Sequence, residues 1–365
     1  MTRVIRSVFA LSILLATSAA AADWERGVAL YKKGDYDRAL AEFQEMVRER
    51  PDAAGAWYYI GLCQFKLKRY SRVGLPLSHA IELLEIQSPS SQDIEGAWYT
   101  IGFAQYLLKE YETALKPLTR YIEIATTARR EVDPSARRAL GRSYFFLERY
   151  DEAAPLLAAT SRAADQGKEG SADFYYLGAI YFKHEDDDRA APALREAVKV
   201  NSEDVASWEL LANSLLRKAG KANSKPAWAE AVAAGERLVA LRDDLRSADV
   251  LARACMGARQ FDKAVAPLEK IAKANPSDGQ AWLYYGIALS RSGQMRKAME
   301  ALEMTIQMAP GSIPALSELA YVYESDKQYQ QALRIYEKAL AAGGASDHAI
   351  QQSIDRVKAL MSEKQ

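Results

Sequence analysis

Small residues recur along this chain at a spacing that a single globular core does not explain. Ala39, Val73, Ala114, Ala153, Ala190, Ala231, Ala264, Ala298 and Ala332 are separated by 34, 41, 39, 37, 41, 33, 34 and 34 residues. Twelve residues before each anchor stands another small residue: Gly27, Gly61, Gly102, Gly141, Gly178, Ala212, Ala252, Gly286 and Ala320. A bulky apolar residue usually precedes it, as at Ile60, Ile101, Leu140 and Leu177. Three places before the anchors come Tyr36, Tyr70, Tyr111, Tyr150, Trp228, Phe261, Met295 and Tyr329. The pattern predicts about nine units of two short antiparallel helices each. In each unit the paired small residues allow a close helix approach, and the large side chain plugs the turn. Pro51, Pro276, Pro310 and Gly343-Gly344 end second helices, while Gly34 and Gly293 supply turns in the first and eighth units.

Trp57-x2-Ile60-Gly61, Trp98-x2-Ile101-Gly102 and Trp282-x2-Tyr285-Gly286, with Ala39-x3-Phe43 and Ala332-x3-Tyr336, resemble the tetratricopeptide repeat family. The resemblance implies an all-α fold, a right-handed superhelical solenoid of tandem helix-turn-helix repeats over residues 23–344. Residues 345–365 are expected to cap it through an amphipathic helix with Ala349, Ile354, Val357, Leu360 and Met361 on its apolar side. Two departures make residues 183–228 the expected weak point: Asp187 replaces the turn aromatic, and the sixth unit carries an extra stretch from Arg217 to Pro226. Further insertions, Ser88 to Ile94 and Arg129 to Asp133, read as loops or helix extensions.

The first 22 residues fall outside the repeat. Arg3 and Arg6, an apolar run from Val8 to Ala16 and small residues from Ala19 to Ala22 make an export signal peptide, too short in its apolar part for a span of ~20 residues. Its removal leaves 46 basic against 48 acidic residues, which gives no electrostatic case for nucleic acid. The expected location is periplasmic or secreted, most simply a bacterial envelope. The mature chain should carry no integral membrane span. Cys63 and Cys255 lie five repeats apart, too far for a disulfide, and are expected as buried thiols.

Candidate chemistry is sparse. His79, His184 and His348 are scattered, and no phosphate loop, nucleophile elbow or paired-cysteine motif is present. His184-Glu185-Asp186-Asp187-Asp188 reads as a solvated turn and not a metal site. No catalytic residue, metal or cofactor is expected, and the chain is read as a binding scaffold and not an enzyme. The resemblance places first helices along a concave groove. There, the places one turn off the core face carry Tyr58, Phe65, Tyr99, Phe103, Tyr106, Arg138, Arg142, Tyr175 and Phe182. The same places later in the chain hold the more polar set Glu209, Asn213, Leu216, Asp249, Arg253, Met256, Leu283, Ile287, Ser290, Ser317, Tyr321 and Glu324. An exposed aromatic floor marks a contact site for an extended protein or peptide partner, with Arg138 and Arg142 able to recruit one acidic group. The alternative partner is a glycan, such as peptidoglycan, stacked on the same rings.

Overall fold

The computed structural model describes residues 24–163, 168–344 and 348–362; the expected signal peptide and its cleavage point lie outside them. Every regular element among the described residues is helical. The chain forms two compact units that divide between Ile180 and Tyr181.

In the first unit, α1 (residues 24–33) is followed by α2 (Tyr36–Glu49), α3 (Ala54–Lys66), α4 (Gly74–Gln87), α5 (Gln92–Leu107), α6 (Tyr111–Thr127), α7 (Pro134–Phe146), α8 (Tyr150–Ala163) and most of α9 (Lys168–Lys183). The second unit holds α10 (Asp187–Val200), α11 (Val205–Ala222), α12 (Lys225–Leu241), α13 (Leu245–Gly257), α14 (Phe261–Ala274), α15 (Gly279–Arg291), α16 (Met295–Met308), α17 (Ile313–Ser325), α18 (Tyr329–Ala339) and α19 (His348–Ser362). Within each unit helices pack in sequence order on their neighbours, α2 through α8 in the first and α10 through α19 in the second. This is an all-α repeat solenoid.

All nine anchors, from Ala39 to Ala332, are fully buried. Their partners differ from the sequence expectation. The glycine twelve places earlier does not face the anchor; it receives the large side chain four places after it. A Cβ on Gly102 would lie 2.7 Å from Leu118 Cγ and 2.9 Å from its backbone nitrogen, and one on Gly286 would lie 2.7 Å from Leu302 Cγ. Gly27 receives Phe43 in the same way, at 2.9 Å. Each glycine is thus a socket for a fully buried side chain whose removal from water contributes ~1.5–3 kcal/mol.

The turn between paired helices is one motif throughout, although glycine holds it in only two repeats. Gly34, Lys68, Lys109, Glu148, Glu185, Arg259, Gly293 and Lys327 are all left-handed, with φ between 55° and 83°. The next N–H closes the helix end on a carbonyl five residues back, as in Arg69 to Gln64 and Arg149 to Tyr144, both 2.9 Å. The exception is the extra stretch of the sixth repeat, which continues α11 as helix and stops at Asn223, φ 44°. Trp228 accordingly sits inside α12 and packs on Gly257 of α13 instead of plugging a turn.

Indole N–H groups tie repeats together. Trp57 donates to the Pro51 carbonyl (2.7 Å), Trp208 to Ser202 (3.0 Å) and Trp282 to Pro276 (3.1 Å), each six residues back in the preceding turn. The insertion before α5 breaks this rule. Residue 92 is already helical, so the buried Trp98 Nε1 finds no acceptor. At the far end of the second unit, α19 buries Ile350, Ile354 and Val357 against Leu316, Ala332, Tyr336 and Ala339. Ile350 takes the core position expected for Ala349, which is exposed.

Candidate functional site: the inner face of the first helices

Within each unit, successive first helices touch, α3 with α5 and α5 with α7, α11 with α13 and α15 with α17; second helices of neighbouring repeats do not approach to the same extent. First helices therefore take the inner side of each unit. In the first unit that face is built from rings. Tyr99 stacks on Phe103 (5.6 Å, 9°) and meets Tyr121 edge-on (5.2 Å). Phe103 touches Phe65 (6.3 Å) and Tyr106 (5.9 Å). The series continues through Tyr111, Phe146 and Tyr176 to Tyr175.

What covers Trp24, Tyr58 and Arg138 is the next repeat. Trp24 Cη2 stands 2.8 Å from a Cβ on Gly55, and Tyr58 Oη fills the space a Cβ on Gly96 would need. Arg138 Nε reaches Asp173 at 2.6 Å. Small residues at the start of each following first helix receive them, so Tyr58 and Tyr99 are half-buried packing side chains and not free-standing ones. Burial, reinforced by the Asp133 carboxylate, pushes the Tyr99 phenol up to about 12. Burial and then Asp93 raise Tyr58 further. Both remain neutral hydrogen-bonding groups across the physiological range. Beside Tyr99, a cleft of about 290 Å³ is lined by Gln92, Glu95, Gly96, Tyr121, Arg130 and Asp133. There Arg130 pairs with Glu95, and Tyr121 Oη accepts the Asp133 N–H at 3.0 Å.

Arg138 and Arg142 do not await an outside acid. Arg142 gives Nη2 (2.7 Å) and Nε (3.1 Å) to Asp173, the carboxylate that also takes Arg138 and is fully buried. Its guanidinium also lies 5.3 Å from the Tyr176 ring centroid. Asp173 lies one repeat beyond Arg138 in the sequence, and that spacing was the available signal.

Phe182 falls in the second unit. Its ring lies 3.9 Å beneath the Arg217 guanidinium, which also donates to its carbonyl at 3.0 Å. The same arginine holds Asp187, at 2.8 and 3.1 Å, together with the Ser214 hydroxyl at 2.8 Å. Asp187 is buried, which corrects the reading of the whole acidic run as solvated; a buried ion pair replaces the missing aromatic plug. Asp186 caps α10 through the Arg189 N–H (3.0 Å), and His184, Glu185 and Asp188 are exposed.

In later repeats the charged side chains of the inner face are paired with one another. Arg242 pairs with Glu209 (2.9 Å), Arg253 with Asp249 (3.2 Å), Arg291 with Glu318 (2.8 Å) and Arg356 with Glu324 (2.7 Å). Among the described residues no cluster of His, Cys, Asp or Glu could hold a metal ion, and no helix is long and apolar enough to cross a membrane. Cys63 and Cys255 are buried free thiols, and burial pushes them up to about 12 and about 11.

Comparison with known proteins bears on the repeats themselves. A tetratricopeptide repeat model matches residues 10–52, 24–72, 175–245 and 250–313, and a second tetratricopeptide repeat model matches 315–347. Among solved structures the chain is similar to YrrB, described as a TPR protein with an unusual peptide-binding site (17% identity, 53% of this chain and 92% of that one, TM-score 0.43). It is also similar to the C-terminal part of a TPR repeat-containing protein from Cytophaga hutchinsonii (18%, 70% and 99%, TM-score 0.42). A third similarity is to the TPR domain of P58(IPK) (16%, 95% and 99%, TM-score 0.31). The fold is that of a protein–protein interaction scaffold, typically non-enzymatic, and the chain belongs to the tetratricopeptide repeat family.

Proposed function

We propose that this protein is an exported scaffold that holds an extended segment of a partner protein along the inner face of its first compact unit, in envelope assembly or trafficking. The observation that carries this reading is the contrast in chemistry at equivalent places. Tyr58, Phe65, Tyr99, Phe103 and Tyr106 present half-buried rings, and the Tyr58 and Tyr99 hydroxyls stay neutral. The inner face of the second unit presents acids and bases already paired with one another. Rings that are positioned by packing before a partner arrives lose little entropy when they bind it. Tyr175, Arg138 and Arg142 border the floor, the two arginines stiffening it through Asp173. Phe182, under Arg217, lies outside the proposed site.

Export is supported by the basic, apolar and small-residue sequence of residues 3–22. Protein recovered from its native cell should begin at or close to Asp23, and an intact Met1 would contradict it. For the site, a photoreactive phenylalanine placed at position 58 or 103 keeps a ring in the floor. It should capture a partner in the native cell where the same group at 249 or 283 does not. Capture only from 249 and 283, or from none of the four, would place the site elsewhere.

A further inference from the structure

The turns joining paired helices in the first unit line up along one edge. Arg69 of the second turn pairs with Asp37 beside the first at 2.9 Å, and Tyr111 beside the third stacks on Phe146 beside the fourth at 4.5 Å with their planes 14° apart. The 3₁₀ turn Tyr70–Arg72 bridges the middle by packing on α5. This edge leaves apolar surface in water: Phe146 is 43% exposed, Leu107 40% and Leu108 36%.

Its charge is divided by sign. Arg38–Asp35, Arg69–Asp37 and Arg149–Glu152 are internal ion pairs. Set those aside, and the first two turns expose Lys32, Lys33, Lys66, Lys68 and Arg72 with no ion-pair partner among the described residues. The third and fourth turns expose Glu110, Glu112, Glu148 and Asp151 against one base, Lys109. A strip that is positive at one end, negative at the other and apolar in its acidic half is complementary to itself turned by 180°. That is the requirement of an isologous two-fold interface.

We propose that this edge pairs with the same edge of a second copy in antiparallel fashion, making the protein a two-fold dimer. Each copy's basic turns then face the other's acidic turns, and Phe146 and Leu107 of each are covered. Four helix pairs, about 10 Å apart and about 20 Å across, offer on the order of 600–800 Å² per copy, close to the ~800 Å² per partner of a stable interface. The pairing covers only the Tyr111–Phe146 stretch of the ring series and leaves Tyr58, Tyr99 and Phe103 outside the interface.

Two charge-reversed forms test it by sedimentation of the full chain. Lys66→Glu with Lys68→Glu and Arg72→Glu makes both ends acidic; Glu110→Lys with Glu112→Lys and Glu148→Lys makes both basic. All six sites are exposed, so circular dichroism should match the wild type. Each form alone should dimerise about a hundredfold more weakly or worse, while an equal mixture should re-form the dimer as a heterodimer. A wild-type protein that is monomeric at about 100 µM, or a mixture that stays monomeric, would overturn the proposal. So would either form dimerising as the wild type does.

Discussion

The two compact units solve the same packing problem with different chemistry. The first joins its repeats largely through rings in edge and stacked contact, a continuous series from Phe65 to Tyr175. In the second, Trp282 pairs with Tyr285, and adjacent repeats are bridged by Arg217–Asp187, Arg242–Glu209, Lys263–Glu236, Lys270–Asp243 and Arg291–Glu318. Ring contacts hold without charge and leave accessible apolar edges that a partner can use. Exposed ion pairs satisfy themselves and contribute little stability each. Similar repeats are thus joined chiefly by ring contacts in the first unit, where the proposed site lies, and by ion pairs in the second.

The largest expected effect breaks this comparison at its most ionic point. Asp187→Ala leaves Arg217 and Ser214 facing a buried void where other repeats keep an aromatic plug. It should cost about 2–4 kcal/mol, at the lower end because the Arg217 side chain is 31% exposed. Adding Arg217→Ala should recover part of that loss, and thermal melting of the two variants checks it. The transition affected belongs to the second unit, since repeats couple chiefly to their neighbours.

A second pair of changes sharpens the role of the sockets. Gly102→Ala drives a Cβ against the Leu118 backbone, which cannot swing aside, and overpacking of about 1–3 kcal/mol should exceed the ~1 kcal/mol gained in helix propensity. Gly220, on α11 with open space around it, should respond with the opposite sign: Gly220→Ala is expected to stabilise by up to about 1 kcal/mol in urea titrations. The smallest effect lies in the turns. Glu148→Gly relieves a left-handed residue, φ 59°, and should raise stability by about 0.5–1 kcal/mol in the same measurement.

Much of this was legible in the chain. The anchors from Ala39 to Ala332, the aromatic plugs other than Trp228 and the two isolated thiols followed from spacing alone, because a 34-residue period fixes which side chains turn inward. Pairings between residues some 30 apart were not. A missing aromatic at Asp187 was visible, but its replacement by Arg217 depends on α11 extending through the insertion to bring that arginine alongside. Asp173 gave only its one-repeat spacing from Arg138 as a sign that it would neutralise Arg138 and Arg142, and a lone carboxylate on a helix otherwise reads as surface. The exposed Phe146 escaped because the place before Leu147 is not part of the inner-face pattern. Left-handed lysines and glutamates at the turns were hidden for a simpler reason: glycine is the usual marker of that conformation, and here it appears at only two of the turns.

The central claim is that the first unit's inner face holds the partner. Hydrogen exchange on the full chain, with and without the partner captured at position 58 or 103, tests it most directly. Added protection should concentrate in α3, α5 and α7, with α11, α13, α15 and α17 unchanged. Protection confined to those four helices of the second unit, with α3 to α7 unchanged, would contradict the account.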